Sequence, residues 1–216
     1  MNKFLTTLLC LLCFCHGNIK AGVPDTAYKT MKDTAHFISL LKTYNANLIS
    51  IESDFVQLKT MKILKDAVKS KGFFCFKNGP MIRWEYTEPF RYLIIINNGK
   101  MFVRDGEKNN SYDFTASESF KKLSAILGGI VKGDVLSDKN DFSCRFLENN
   151  VTYKLILTPL AGDVKDYFRD FVLVFDKKMF SVSHVQMNEV SGDVTDIWFN
   201  NRKINSGVSD ELFIIK

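Results

Sequence analysis

The sequence predicts an α+β fold in which antiparallel strands make up most of one domain. The first reason is the stretch from Gly72 to Asp105, where short apolar and alternating segments are separated by turn-forming residues. The second reason is a further set of short alternating segments after residue 150, which is typical of a sandwich or a barrel. Two other stretches, 25–51 and 117–131, show the three- and four-residue spacing of amphipathic helices.

Residues 1–21 predict a signal peptide. Lys3 precedes an apolar run from Phe4 to Cys15, and Ala21 precedes Gly22 at a candidate cleavage site. This run is shorter than the ~20 residues that a helix needs to cross a bilayer. We therefore expect an exported, soluble protein with a single domain over residues 22–216.

Composition argues against several classes of function. Removal of Lys3 and Lys20 with the signal peptide leaves 27 basic residues against 24 acidic ones, scattered along the chain, so no nucleic-acid partner is expected. His36 and His184 lack metal-ligand spacing, and the chain has no nucleophile elbow, P-loop or dinucleotide fingerprint. We therefore expect no metal, no cofactor and no enzymatic activity.

The stretch 25–51 predicts the first helix. Its start is expected at Pro24-Asp25. The apolar stripe consists of Phe37, Leu40, Leu41, Tyr44 and Leu48. From the residues alone this pattern predicts a helix packed on a sheet.

A long hairpin and a meander are predicted next. Segments 50–61 and 67–77 form the hairpin with a polar tip, and turns at 78–80, 88–89 and 97–99 separate the strands of the meander. Alternation places Ile82, Trp84 and Tyr86 on one face and Arg83 and Glu85 on a wet face. The continuous apolar run over 92–96 indicates that both faces are covered there.

The second helical stretch, 117–131, ends in glycines that weaken a helix. From the residues alone it is a short surface helix with flexible ends. Beyond it, strands are predicted over 151–158, 171–175 and 184–188, with turns at 149–150, 176–178 and 191–193. Cys75 and Cys144 could form one disulfide or remain separate buried thiols, and both possibilities stay open.

The order and spacing of several motifs resemble a known family. They are Ser53 to Gln57, Gly72, Phe73 to Phe76, Pro80, Arg83-Trp84-Glu85, Pro89, Leu93 to Ile96, Asn98-Gly99, and the closing strands from Gly192 to Phe213. In this order they resemble the LolA-type periplasmic carriers of outer-membrane lipoproteins. The resemblance implies an incomplete antiparallel β-barrel, a strongly curved sheet closed by the N-terminal helix and by a lid helix over 117–131.

The resemblance also implies a function. The protein would be a monomeric periplasmic carrier that shelters the acyl chains of lipoproteins, receives them from an inner-membrane ABC exporter and releases them at an outer-membrane acceptor. The residues predicted to bind lipid are Phe74, Phe76, Ile82, Trp84, Tyr86, Ile94 and Ile96 on strands, with Leu123 and Leu127 on the lid. Many family members carry an Arg where this chain has Asn78, and the neighbouring Lys77 cannot reproduce a guanidinium fork.

Other interpretations of the same residues remain. Of the 19 phenylalanines, all but Phe4 and Phe14 follow the signal peptide, and they would serve either as a bulky core or as the lining of a cavity for acyl chains. A paralogue on the same fold could carry another lipid or sense lipoproteins. A secreted structural or adhesion module would bind no ligand at all.

Overall fold

The computed structural model describes residues 28–79, 81–106, 108–113 and 141–214. Within them the strands are β1 (Lys29–Thr30), β2 (Ser50–Thr60), β3 (Val68–Lys77), β4 (Met81–Glu88), β5 (Tyr92–Asn97), β6 (Lys100–Asp105), β7 (Lys108–Asp113), β8 (Phe142–Glu148), β9 (Thr152–Pro159), β10 (Phe168–Asp176), β11 (Val182–Glu189) and β12 (Val194–Ile204). The helices are α1 (Thr34–Ala46), α2 (Asp163–Tyr167) and a C-terminal 3-10 helix (Asp210–Phe213). In this part of the chain, no helix combines the length and the apolar character needed to cross a bilayer.

All twelve strands belong to one curved antiparallel sheet, in the order β1-β8-β9-β10-β11-β12-β2-β3-β4-β5-β6-β7. Two meanders, β2–β7 and β8–β12, meet where β2 pairs with β12. The edge strands β1 and β7 lie at opposite ends of the order, so the sheet is open. The predicted incomplete antiparallel barrel is therefore confirmed.

Helix α1 packs on one face of this sheet, which we call the inner face. The Phe37 ring is buried and lies 4.8 Å from the Tyr153 ring and 5.9 Å from the Phe175 ring, centroid to centroid. Leu41, one turn further along, is buried in the same apolar cluster. Because Phe37 and Leu41 are four residues apart, they lie on one side of the helix and fix that side to the sheet.

The predicted helix over 25–51 is wrong at both ends within the described residues. Its start lies at Thr34, where the Asp33 side chain accepts a hydrogen bond of 2.8 Å from the backbone amide of His36. Before that cap, Lys29 and Thr30 pair with β8. After Ala46 the chain turns, and Ser50 already belongs to β2. Pairing with distant strands overrides the local helical spacing at both ends.

The predicted hairpin and central meander are confirmed, with turns at the predicted positions. Asn98 and Gly99 between β5 and β6 both have positive φ, 50° and 71°. This conformation suits the right-handed twist of a two-residue hairpin, and Asn-Gly is the pair that adopts it most readily. The turn fixes the register that places Ile96 opposite Met101.

The opposite, outer face is covered by the C-terminal segment 205–214 over β3–β5. Val208 and Phe213 are buried there with Leu93 and Ile95, so the expected cover over 92–96 is present on the outer face, whereas Ile94 and Ile96 on the inner face are half-buried. The prediction that Arg83 lies on a solvent-exposed face is wrong, because the C-terminal segment covers it. Arg83 Nη1 donates a hydrogen bond of 2.9 Å to the backbone carbonyl of Leu212 in this segment.

Lys77 also lies on the outer face. Its Nζ donates a hydrogen bond of 2.8 Å to the Val208 carbonyl and forms an ion pair with Asp210. Lys77 therefore holds the C-terminal segment in place. The predicted lid helix over 117–131 lies outside the described residues.

The two cysteines are free thiols in separate clusters. Cys75 is buried on the outer face with Leu93 and Ile95, whereas Cys144 packs into the cluster under α1. The sequence leaves open either a disulfide between Cys75 and Cys144 or two separate thiols, and in the structure the two thiols are separate. Burial raises the pKa of each to about 12.

Candidate functional site

The inner face carries a group of rings that we call the inner aromatic cluster: Phe55, Phe74, Trp84, Tyr86 and Phe199. The centroid distances are 4.8 Å for Phe55–Trp84, 5.5 Å for Phe74–Phe199 and 6.1 Å for Trp84–Phe199. Tilted and edge-to-face contacts at these distances are the geometry that aromatic pairs prefer. The rings come from β2, β3, β4 and β12, so they form a rigid apolar surface at the centre of the sheet.

Gly72 allows this cluster to assemble. It lies directly opposite Phe55 on β2, next to a register shift between β3 and β4. A Cβ at this position would lie 2.0 Å from the carbonyl oxygen of Glu85 and 2.6 Å from the Phe55 ring. Glycine is the residue that leaves room for the ring over the strand.

The structure places all seven predicted strand residues on the inner face. Phe74 pairs with Trp84, Phe76 with Ile82, Ile82 with Ile96, Trp84 with Ile94, and Gly72 with Tyr86. Phe74, Phe76 and Ile82 are buried, and Trp84, Tyr86 and Ile96 pack against them half-buried. Ile94 is half-buried opposite Trp84. Leu123 and Leu127 lie outside the described residues.

Phe55 and Phe199 belong to the cluster but are absent from the predicted set. Phe55 lies in the alternating segment after the first helix, two residues before Gln57. Alternation along this strand could therefore have placed Phe55 on the apolar face. Phe199 comes from the other meander and reaches the cluster only through the β2–β12 pairing, where it lies opposite Phe55. Nothing local to β12 indicates that pairing.

A cavity of about 550 Å³ lies beside the C-terminal half of α1, and its residues differ from the predicted set. It is lined by Leu40, Thr43, Tyr44, Asn47, Leu48, Tyr153, Lys177, Lys178, Phe180, Ile204 and Asn205. The Lys177 ammonium lies 4.4 Å from the centre of the Tyr153 ring and donates a hydrogen bond of 2.7 Å to Glu148. Burial raises the pKa of Tyr44, so its phenol stays neutral at physiological pH. The cavity therefore combines apolar walls with a basic rim.

The other end of the inner face is polar but paired. Lys59 Nζ lies 3.0 Å from Glu189 Oε1, and both side chains are buried. The Tyr86 hydroxyl donates a hydrogen bond of 3.0 Å to Gln57 Oε1, and burial raises the pKa of Tyr86 to about 12. These groups satisfy one another, and the inner face offers a ligand mainly apolar and aromatic contact.

The titratable groups singled out by sequence lie away from this surface. His184 is on the outer face, with Nε2 2.8 Å from Asp196 Oδ1 and its ring stacked on Trp198 at 5.0 Å. His36 is exposed on α1. Among the described residues, no group of three His, Cys, Asp or Glu side chains is arranged to hold a metal ion.

Comparison with known proteins identifies a family for most of the chain. The family model described as "Outer membrane lipoprotein carrier protein LolA" matches residues 46–216. A protein named outer-membrane lipoprotein carrier protein from Methylococcus capsulatus is 21% identical over 95% of this chain and 89% of its own length. A protein of the same name from Xanthomonas oryzae is 23% identical over 92% of each chain.

One solved structure illustrates the shared fold. An uncharacterized conserved protein from Thermus thermophilus superposes with a TM-score of 0.53 at 9% identity, covering 84% of this chain and 94% of its own. At this identity the likeness concerns the fold alone.

Proposed function

Since the chain belongs to the LolA family of outer membrane lipoprotein carrier proteins, we propose that it binds the acyl chains of lipoproteins on its inner face and carries them through the periplasm. In this proposal residues 1–21 direct export, and the mature protein acts as a monomer. It receives cargo from an inner-membrane ABC exporter and delivers it to an outer-membrane acceptor. The step is binding and transfer, so it forms no covalent bond and uses no cofactor.

The observation that carries the proposal is the inner aromatic cluster. Its rings hold one another at contact distance on a single sheet face, with predicted residues Ile94 and Ile96 extending the apolar surface along β5. A methylene group transferred from water to such a surface gains about 0.8 kcal/mol. A long acyl chain therefore gains on the order of 10 kcal/mol without any specific polar contact.

The two tryptophans of the chain provide a test of where the ligand binds. Trp84 belongs to the inner aromatic cluster, whereas Trp198 lies on the outer face against His184. Replacement of Trp198 by Phe leaves Trp84 on the inner face as the fluorescent reporter. Replacement of Trp84 by Phe leaves Trp198 on the outer face as the reporter. The ligand is a triacylated lipopeptide with brominated acyl chains, because bromine quenches tryptophan fluorescence at contact.

We expect saturable quenching in the Trp198→Phe protein and little in the Trp84→Phe protein. Unbrominated lipopeptide should compete and restore the fluorescence. Equal quenching of both reporters, or none in a folded sample, would overturn the proposal. A third variant, Ile94→Glu, places a charge opposite Trp84 at a half-buried site and should weaken the quenching by at least about tenfold.

A further inference from the structure

The tip of the β2–β3 hairpin, residues 61–67, presents apolar side chains to solvent. The Ile63 side chain is 89% exposed, and Leu64 beside it is also exposed. Neither belongs to a core cluster of the described residues. Two adjacent large aliphatic side chains at the apex of a hairpin are unfavourable in water, so they indicate a contact surface.

The tip is held in a defined conformation. The backbone amide of Lys62 donates a hydrogen bond of 3.0 Å to Asp193 Oδ1, and the amide of Leu64 donates one of 3.0 Å to the Met61 carbonyl. The aliphatic part of Lys62 lies against Gly192, where a Cβ would come within 2.1 Å of Lys62 Cε. The β11–β12 turn therefore supports the base of the tip while its apex projects.

The hairpin's own residues around the tip are mainly basic, and Asp193 of the neighbouring turn lies against the backbone of Lys62. Residues 59–71 contain five lysines and a single acidic residue, Asp66. Lys59 is buried in its ion pair and Lys71 pairs with Glu88, but Lys62 and Lys65 are exposed on either side of Ile63 and Leu64. A pair of aliphatic side chains thus lies between two cations.

Two neighbouring turns carry further exposed apolar residues at the same end of the sheet. Thr60 lies opposite Val194, and Lys71 lies opposite Glu88, so the turns after β11 and β4 project from the same end of the sheet as the tip. Each carries a large apolar residue that is more than half exposed, Val190 and Phe90.

From this combination we propose that the β2–β3 tip docks on an anionic lipid surface. Ile63 and Leu64 enter the interface, and Lys62 and Lys65 contact lipid phosphates. Interfacial binding of this kind combines buried apolar area with attraction between basic side chains and anionic headgroups, and neither contribution is strong alone. The docking is therefore reversible. It adds a membrane contact to the proposed carrier function, at a surface separate from the inner face.

The test is flotation of the mature protein with two kinds of vesicle, phosphatidylcholine alone and an equal mixture of phosphatidylcholine and phosphatidylglycerol. The test variant is Ile63→Glu. The matched control is Val151→Glu, because Val151 is 63% exposed in the β8–β9 turn at the opposite end of the sheet. Both changes replace an exposed aliphatic side chain with the same carboxylate.

We expect binding to the mixed vesicles that added salt weakens, and weaker binding to phosphatidylcholine alone. Ile63→Glu should lower the partition coefficient by about tenfold, and Val151→Glu should leave it unchanged. An equal loss of binding in both variants, or no binding of the unmodified protein to vesicles, overturns the proposal. In the latter case the exposed tip would be a contact site for a protein partner. Acyl quenching of Trp84 in the Ile63→Glu protein separates this outcome from failure of the carrier function, since it should persist.

Discussion

Replacement of Glu189 by Gln is expected to destabilise the fold by about 3–5 kcal/mol, because it leaves the Lys59 charge buried without its partner. The two side chains are only 6% and 10% exposed, and their charged atoms lie 3.0 Å apart. At an effective dielectric constant of about 20, this distance corresponds to an attraction of about 5 kcal/mol. Desolvation of the two ions costs several kcal/mol each, so the intact pair contributes little net stability.

A second ion pair supplies the matched control. Lys71 and Glu88 lie 2.8 Å apart, but their side chains are 46% and 61% exposed. Glu88→Gln should therefore lower the free energy of unfolding by less than about 1 kcal/mol. The double variant Lys59→Met, Glu189→Leu removes both buried charges and should be as stable as the unmodified protein or more so.

Urea denaturation followed by tryptophan fluorescence measures all four proteins under the same conditions. The argument depends on burial, so it predicts a large difference between the two Glu→Gln variants and recovery in the double variant. Equal losses for Glu189→Gln and Glu88→Gln would refute it. A double variant as unstable as Glu189→Gln would show instead that the pair is required for packing.

Three more predictions concern individual side chains. Gly72→Ala should destabilise the fold by about 3 kcal/mol or more in the same urea assay, because the new methyl group would lie 2.0 Å from a backbone carbonyl oxygen. Burial raises the pKa of Asp176, but hydrogen bonds from two backbone amides and the Arg202 guanidinium outweigh it and hold that pKa below its usual value. The lowered pKa of Asp176 therefore contributes stability above about pH 4, and this contribution is lost as the pH falls through the folded-state pKa. Thermal denaturation measured at a series of pH values tests this: Asp176→Asn should reduce the fall in melting temperature at acidic pH. Cys75 and Cys144 should react slowly with a thiol reagent at neutral pH in the folded protein and both rapidly in urea, since burial raises the pKa of each to about 12.

The sequence predicts the features that depend on neighbouring residues. Alternation over 82–86 and the Asn-Gly turn fix the phase and register of β4–β6, and the structure has Ile82, Trp84 and Tyr86 on the same face. Period-two patterning is a local property, so it can be determined without knowing the partner strands.

The features that the sequence does not predict all require distant partners. Lys29 and Thr30 lie within the stretch that the sequence pattern predicts to be helical. They pair instead with β8, more than a hundred residues later in the chain. Arg83 alternates as a solvent-facing residue should, but the C-terminal segment covers it. The cavity beside α1 brings together residues from 40 to 205, and no window of sequence contains that set.

The pairing of β2 with β12 has a consequence for how the molecule folds. Thr60 meets Val194 and Ile51 meets Ile204, so this seam joins residues well over a hundred positions apart, whereas most other strand pairs are consecutive hairpins. Loop-closure entropy makes such a contact slow to form. The edge of β2 that faces away from β3 therefore stays unpaired until β12 docks, and Phe199 reaches Trp84 only then. Until that pairing forms, the aromatic surface lacks Phe199 and one edge of β2 is open, which makes an incomplete chain prone to aggregation.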